Sequence, residues 1–192
     1  MNSYSKSSAQ HNAKNVDSAT SQKRDVISGL NNLGCESFAK KIGPVFEHSP
    51  WIAEAAWLKR PFANLESLHR ALCETVINSG AEKRLALIRA HPDLVGKLAL
   101  AGQLTTESIN EQASAGLNKL SLEEIDLFQK QNVAYENKFG FPFVICARLN
   151  KKEAILAGFE RRLKNSREQE IKTALEEIFK IAELRLQDLT AN

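Results

Sequence analysis

The chain is 192 residues long, is 43% hydrophobic and has a formal net charge of +3. This length is typical of one domain, and 26 basic residues interspersed with 23 acidic ones give no support for binding to nucleic acid or to a membrane surface. Cys35, Cys73 and Cys146 lack the CxxC spacing of a zinc or redox site, so reduced thiols are expected. The sequence shows neither a transmembrane run, nor a hydrophobic signal core, nor an SKL-type peroxisomal address. We therefore expect a cytoplasmic protein.

Residues 1–24 are rich in Ser, Asn, Gln and Lys and contain almost no large apolar side chain. Such a segment buries too little apolar surface to offset the entropy that it would lose on ordering. We therefore predict a disordered polar tail over residues 1–24 and a single domain over residues 25–192.

Capping residues and prolines mark a succession of helices after the tail. In HSPWIAEAAWLKRP, Ser49 is a good N-cap, Pro50 suits the first helical position, and Pro61 ends the helix. A second helix is predicted between Asn64 and Gly80. Its apolar face consists of Leu65, Leu68, Leu72 and Val76.

Later segments carry equally clear helix ends. AEKRLALIRA must end near Pro92, because the proline ring removes a donor and disfavours helical geometry at His91. SLEEIDLFQKQNVAYENKFG has a capping box, Ser121 with Glu124, and Gly140 as its C-terminal cap. KEAILAGFERRL and EQEIKTALEEIFKIAELRLQDL are amphipathic, and the second is the longest periodic run in the chain.

One segment, FGFPFVICARL, does not read as a helix. Phe141, Phe143 and Ile145 alternate with smaller neighbours, which by propensity indicates a strand. No convincing partner strand occurs elsewhere, and a lone strand has nothing to pair with. We therefore predict an extended, largely buried connector inside an all-helical domain.

His91 is the first candidate for chemistry. A histidine titrates near neutral pH and moves a proton in either direction, which suits a general acid or base. The alternative is that its imidazole caps the preceding carbonyl groups at the end of a helix. The local pattern by itself favours the capping role.

A second candidate lies in TTESINEQASAGL. Ser108 and Glu111 have the spacing of a capping box, which is the simpler interpretation. Glu111 and Gln112 also place a carboxylate beside an amide at a helix start. Such a pair can orient a histidine and recognise a urea-like group, which needs both donors and acceptors.

The connector and the arginines offer further binding groups. An extended backbone next to Pro142 leaves amide and carbonyl groups free for a small planar ligand, unless neighbouring helix ends satisfy them. Among the arginines, Arg161 and Arg162 suit a solvated helix face, whereas Arg185 interrupts an apolar stripe and suits a buried partner. Arg148 is a further candidate for a carboxylate clamp, whereas His48 and His69 do not have the spacing of metal ligands. No HExxH spacing or glycine-rich phosphate loop supports a metal or nucleotide site.

Five segments together resemble one family. FEHSPWIAEAAW, AHPDLVGKLAL, TTESINEQASAGL, YENKFGFPFVICAR and ALEEIFKIAELRLQDL closely resemble the 2-oxo-4-hydroxy-4-carboxy-5-ureidoimidazoline (OHCU) decarboxylases, in order from about Leu30 to Leu189. The resemblance implies an all-helical fold, no cofactor, no metal and a homodimer. It also implies decarboxylation of OHCU to (S)-allantoin and CO₂ as the last step of urate oxidation.

The resemblance also implies a set of site residues. The catalytic histidine of the family falls on His91, and its SxxEQ element on Ser108, Glu111 and Gln112. An arginine near the end of the family sequences matches Arg185, with the ERRL pair as a nearby competitor. The remaining substrate-binding positions are Pro92, Phe143, Val144, Ile145, Cys146 and Ala147.

The implied mechanism assigns a role to each group. We expect His91 to handle the hydroxyl proton or the carboxylate of the substrate, with Glu111 positioning the imidazole and raising its basicity. Arg185 would balance the carboxylate charge, and Gln112 with the connector backbone would hold the ureido and ring amides. Two alternatives stay open: a non-catalytic helical scaffold, and a protein that binds purine-degradation intermediates without turning them over.

Overall fold

A computed structural model describes residues 25–96, 102 and 104–189. Within these ranges the chain forms nine α-helices and no β-strand, which confirms the predicted all-α class. The helices are α1 (25–31), α2 (Cys35–Ile42), α3 (Trp51–Trp57), α4 (Leu65–Ile77), α5 (Ala81–Arg89), α6 (Thr106–Ser114), α7 (Leu122–Phe139), α8 (Lys152–Arg162) and α9 (Arg167–Leu189). Short 3₁₀ turns occupy Gly43–Val45 and Ala147–Leu149. The predicted tail lies outside the described residues, and the boundaries of the 25–192 domain stay a prediction.

Most predicted helix ends follow from local capping. The Asn64 side chain accepts a hydrogen bond from the Ser67 amide at 2.8 Å, which starts α4. The predicted capping box of Ser121 and Glu124 starts α7. Gly140 ends α7 at a φ of 76°, a left-handed conformation that favours glycine because it has no Cβ. These ends are predictable because the residues that make them are neighbours in sequence.

The predicted start of α3 is wrong by one residue. The helix begins at Trp51 with Pro50 in the N-cap position, and no side chain caps it. Ser49 instead ends the preceding turn, where its amide donates to the Phe46 carbonyl at 3.2 Å. Because proline has no N–H to satisfy, this helix start leaves one donor fewer unpaired than most.

The connector that follows α7 crosses the centre of the core. Residues 142–146 form neither helix nor strand, and Phe143 is fully buried against Phe159 of α8, with ring centroids 3.8 Å apart. The ring of Tyr135 in α7 is perpendicular to that of Phe143, and the two ring centroids are 5.1 Å apart. Gly158 permits this close packing, because a Cβ there would lie only 3.3 Å from the Phe143 ring. The predicted buried, extended connector is therefore confirmed.

Four elements converge beside this connector. The long helix α9 packs against α4, α5 and the Gly43–Val45 turn, while α6 packs against the Ala147–Leu149 turn. The end of α5, one face of α6, the connector and the C-terminal half of α9 share one region. Within the described ranges, no helix combines the length and the apolar character that crossing a membrane requires.

Candidate active site

A narrow cleft, with a cavity volume of about 30 Å³, lies where these four elements meet. This volume is smaller than that of a typical small-molecule site. Its described lining consists of His91, Pro92, Leu94, Ser108, Glu111, Gln112, Phe143, Val144, Ile145, Ala147, Ile181 and Arg185. Ten of the eleven predicted site residues are in this lining. The exception is Cys146, whose side chain is buried and whose thiol pKa is raised by that burial.

His91 is held at the end of α5 by a backbone carbonyl. Its Nδ1 lies 2.9 Å from the Leu87 carbonyl oxygen, and only 7% of the residue is exposed. Burial lowers the pKa of His91 to about 4, outweighing the Leu87 hydrogen bond and the charge of Glu47, which raise it. The ring is therefore neutral at pH 7. Because a carbonyl only accepts, Nδ1 carries the proton and Nε2 keeps its lone pair. His91 Nδ1 thus makes the helix-capping contact that the sequence favours. Nε2 stays unprotonated, and His91 lines the cleft.

The free energy of unfolding is expected to fall as the pH drops from about 6.5 to about 4. The unfolded chain takes up the His91 proton in this window and the folded chain does not, so stability is complete above pH 6.5 and is lost below it. The loss attributable to His91 is on the order of 2–3 kcal/mol. Urea unfolding at pH 7 and pH 4.5 checks this: His91→Asn should lose less stability than the wild type between the two values. Equal losses would contradict the assignment of a buried neutral imidazole.

A buried charge cluster includes two residues of the lining, Arg185 and Glu111. Arg185 donates from Nε and Nη2 to the two carboxylate oxygens of Glu111 at 2.7 and 2.8 Å. Its Nη1 donates to Glu47 at 2.8 Å and to the Pro44 carbonyl at 3.3 Å. Burial alone would lower the pKa of Arg185, but the two carboxylates raise it. The predicted inward orientation of Arg185 toward a buried partner is confirmed.

The cluster has a net charge of −1, because two carboxylates surround one guanidinium. Burial would raise the pKa of Glu47, but its hydrogen bond to Arg185 and the charge of that residue hold the pKa below its ordinary value. The charge of Glu47 also favours the protonated form of His91. Glu47 therefore stabilises a positive charge that arises on the imidazole, against a smaller opposing effect of Arg185.

Glu111 contacts Arg185 rather than His91, which corrects the predicted positioning role. Both of its oxygens lie on the guanidinium, and His91 is oriented by the Leu87 carbonyl instead. Four of the five Arg185 N–H groups have acceptors among the described residues. One N–H on Nη2 is thus left for a further acceptor.

The predicted capping box of Ser108 with Glu111 is wrong. Thr105 is the N-cap of α6, and its hydroxyl accepts from the Ser108 amide at 3.2 Å. The hydroxyls of Thr105 and Ser108 both donate to one oxygen of Glu47, at 3.1 and 3.3 Å. Ser108 therefore belongs to the charge cluster, one turn inside the helix.

Gln112 holds the turn that follows His91. Its side-chain oxygen accepts from the Val95 amide at 3.1 Å, and its NH₂ group lies 3.5 Å from the Asp93 carbonyl. Val95 has a φ of 54°, which is costly for a β-branched residue and requires support from its surroundings. The Gln112 side chain, which the sequence analysis assigned to substrate binding, thus also fixes the backbone around the cleft.

Arg162 corrects another prediction. It is almost fully buried, forms an ion pair with Glu170 at 2.8 Å and donates to the Val144 carbonyl at 2.7 Å, so it does not lie on a solvated helix face. Arg162, the buried member of the ERRL pair, therefore does not line the cleft. Arg185 is the arginine in the lining of the cleft.

Glu47 was not among the predicted site residues, although its segment FEHSPW is part of the family resemblance. Its partner Arg185 is 138 positions away, so no local spacing connects the two. The available signal was a carboxylate directly after Val45 and Phe46, where an apolar run implies burial and a buried charge implies a partner. Across the part of the chain that the structure describes, no group of three His, Cys, Asp or Glu side chains is arranged to hold a metal ion.

Residues 31–187 match the sequence model of the family described as OHCU decarboxylase. The chain belongs to the OHCU decarboxylase family. A 2-oxo-4-hydroxy-4-carboxy-5-ureidoimidazoline decarboxylase from Halalkalicoccus jeotgali is 40% identical over 167 residues, covering 87% of this chain and 93% of the relative. The protein of the same name from Haloferax volcanii is 42% identical over 160 residues, covering 83% and 93%.

A solved structure extends the family likeness to the fold. The crystal structure of (S)-allantoin synthase superimposes with a TM-score of 0.68 at 28% identity. The aligned part is 85% of this family member and 53% of the other chain, so this protein spans about half of that enzyme.

Proposed function

We propose that this member of the family decarboxylates OHCU to (S)-allantoin and CO₂ without a cofactor, as the last step of urate oxidation. The observation that carries the proposal is the combination, in one cleft, of a neutral imidazole with a free Nε2 and a guanidinium with one uncommitted N–H. The decarboxylase names of the relatives support the same reaction.

The substrate has a carboxylate and a hydroxyl on one ring carbon, beside a C=N bond. When the bond to the carboxylate breaks, its electron pair moves onto the ring carbon and is delocalised into that C=N group. The nitrogen of that C=N group takes up one proton from solvent. His91 Nε2 takes the hydroxyl proton, so that the hydroxyl becomes a carbonyl, and the imidazolium gives a proton to the neighbouring ring carbon to complete allantoin. The face on which that proton arrives decides the enantiomer, so the cleft must hold the ring in one orientation.

The charged groups divide this work between them. The remaining N–H of Arg185 binds the substrate carboxylate, and Glu111 fixes the guanidinium that offers it. Glu47 stabilises the imidazolium that forms when His91 accepts its proton. The apolar side chains of Pro92, Phe143 and Ile181 limit the access of water.

The ring amides and the ureido group need partners that both donate and accept. Gln112 keeps donor capacity on its NH₂ group, and the connector supplies peptide groups. We include Val144, Ile145 and Ala147 through their backbone. The N–H of Cys146 is bonded to Glu177 and its C=O to Leu149 and Asn150, so Cys146 holds the connector in place rather than binding the substrate.

We further propose a homodimer in the cytoplasm. Large apolar side chains are exposed on the described surface, among them Leu58, Leu122 and Leu149, and burial against a second copy would remove them from water. The three cysteines are free thiols, which suits a reducing compartment.

Circular dichroism tests the proposed reaction. Urate is oxidised and hydrolysed to the carboxylated intermediate in two samples, one of which contains the protein. An optically active allantoin signal is expected to appear rapidly only with the protein. If the decay is not accelerated but (S)-allantoin binds, the protein is a binder of purine-degradation intermediates. If neither occurs, the helical scaffold is the better description.

A further inference from the structure

Arg162 contacts the connector from outside the cleft. The side chain leaves α8 and donates from Nη1 to the carbonyl oxygen of Val144 at 2.7 Å. Its guanidinium also lies over the ring of Phe143, 4.3 Å from the centroid. Val144 and Phe143 both line the cleft, whereas Arg162 is not part of the described lining. One buried cation thus holds two consecutive lining residues from behind.

The orientation of Arg162 is fixed by a buried polar network. Its Nε donates to Glu170 at 2.8 Å, and its Nη2 donates to the Tyr135 hydroxyl at 3.2 Å. The other oxygen of Glu170 accepts from Asn165 at 2.6 Å, and Tyr135 donates to Glu170 as well. The charged side chains are only 4% and 0% exposed. Each guanidinium nitrogen of Arg162 and each carboxylate oxygen of Glu170 has a partner, so the pair is a rigid support, because each alternative rotamer leaves a charge unpaired.

A second anchor lies two residues further along the connector. The Cys146 amide donates to Glu177 of α9 at 2.8 Å. In an extended chain the peptide groups of residues i and i+2 point to the same side, and those of residue i+1 point to the other. With Val144 and Cys146 bound to helix side chains, the N–H and C=O of Ile145 point away from those helices. Neither group has a hydrogen-bond partner within the described residues, and Ile145 lines the cleft.

We propose that Arg162 is a positioning residue for the decarboxylation. By holding the Val144 carbonyl, it presents the Ile145 peptide groups to an amide or ureido group of the substrate, and it keeps Phe143 in place as the wall beside the ring. This inference rests on the proposed function. It adds a residue outside the cleft to the groups that determine how the substrate is oriented.

Arg167 provides a matched control for this role. It also leaves a helix, donates from Nε to a connector-side carbonyl, that of Phe139 at 3.1 Å, and lies over a phenylalanine ring, that of Phe141 at 5.8 Å. Neither Phe139 nor Phe141 is in the described lining of the cleft. The same chemistry therefore supports the core at this position and does not touch a lining residue.

The test compares Arg162→Met/Glu170→Met with Arg167→Met in the full chain. Removing both charges avoids leaving either buried alone, which commonly keeps such proteins folded. For the double variant, kcat/KM is expected to fall about 100-fold through misplacement of the ring, with a lower enantiomeric excess of freshly formed allantoin. Arg167→Met is expected to keep both values. Enantiomeric excess, corrected for the uncatalysed decay, does not respond to a mere loss of folded protein.

A second variant decides the matter if the double variant does not fold. Arg162→Lys keeps a positive charge beside Glu170, but one ammonium group cannot reproduce the fork that also reaches Val144. It is expected to lower kcat/KM and the enantiomeric excess in the same direction. Wild-type values in folded Arg162 variants would overturn the positioning role while leaving the proposed reaction intact. A wild type that does not accelerate decarboxylation would instead reject the proposed reaction.

Discussion

Replacing His91 by asparagine is expected to lower kcat/KM by about three orders of magnitude, the range for losing a general base. The asparagine amide can donate to the Leu87 carbonyl in place of Nδ1, so the end of α5 keeps its hydrogen bond. The variant has no group at the Nε2 position that accepts a proton. Chemistry is therefore lost while the local structure is retained.

The measurement is the initial rate of the allantoin signal with wild type and variant at equal concentrations of folded protein. His69→Asn is the control, because His69 also bonds a backbone carbonyl, that of Phe179 at 2.9 Å, and does not line the cleft. It should keep wild-type turnover. If His91→Asn also kept it, the base would have to be another group.

The pH dependence distinguishes a neutral base from an ordinary histidine. Because burial lowers the pKa of His91 to about 4, kcat/KM for the wild type should stay level well below pH 6.5 and decline only as the pH approaches 4. A group that acts as a base is active in its unprotonated form, so activity is lost on the acid side. A decline centred near pH 6.5 would show that the imidazole titrates as it does in water.

The cleft illustrates which parts of a site a sequence can predict. The end of α5 at His91 and the capping box of Ser121 and Glu124 depend on residues a few positions apart, so their spacing is visible. The extended connector was predictable because a β-like run without a partner cannot be a strand in a helical domain. The two helix ends depend on local interactions, and the connector depends on the lack of a partner strand, which the sequence also shows.

The contacts between distant residues were not predictable in this way. The resemblance supplied Glu111 and Arg185 as site residues, but not their bidentate pairing across 74 positions. The burial of Arg162 was missed because its partners on the connector and on α9 are set by packing rather than by spacing. A family resemblance transfers positions, whereas partners follow only when the chain is folded.

Replacing Arg185 by methionine is expected to lower the free energy of unfolding at pH 7 by about 3–5 kcal/mol, the usual cost of leaving buried charges unpaired. Glu47 and Glu111 would both lose their cation, and their side chains are only 3% and 13% exposed. Arg148→Met is the control, since its ion pair with Asp188 is more exposed and such pairs contribute at most about 1 kcal/mol. Urea unfolding of the three proteins measures the difference.

The deficit of Arg185→Met should shrink as the pH falls from 7 toward 4. In the wild type the lowered pKa of Glu47 adds stability that is present above the ordinary glutamate pKa and is lost on acidification. In the variant, burial without a cation raises the pKa of Glu47 instead, so the folded state takes up protons and loses stability as the pH rises. The two curves therefore converge in acid. A deficit that is the same at pH 7 and pH 4.5 would show that lost packing, rather than unpaired charge, is the cause.

Arg185→Lys separates the structural role of the residue from its proposed contact with the substrate. Lysine retains a cation between Glu47 and Glu111 and should recover much of the stability that methionine loses. It cannot offer a second donor beside a bidentate pair with Glu111, because it lacks the planar fork. We therefore expect Arg185→Lys to be more stable than Arg185→Met, but to have a kcat/KM well below that of the wild type. If activity returned together with stability, the charge of Arg185 would be sufficient, and its remaining Nη2 hydrogen would have no part in binding the carboxylate.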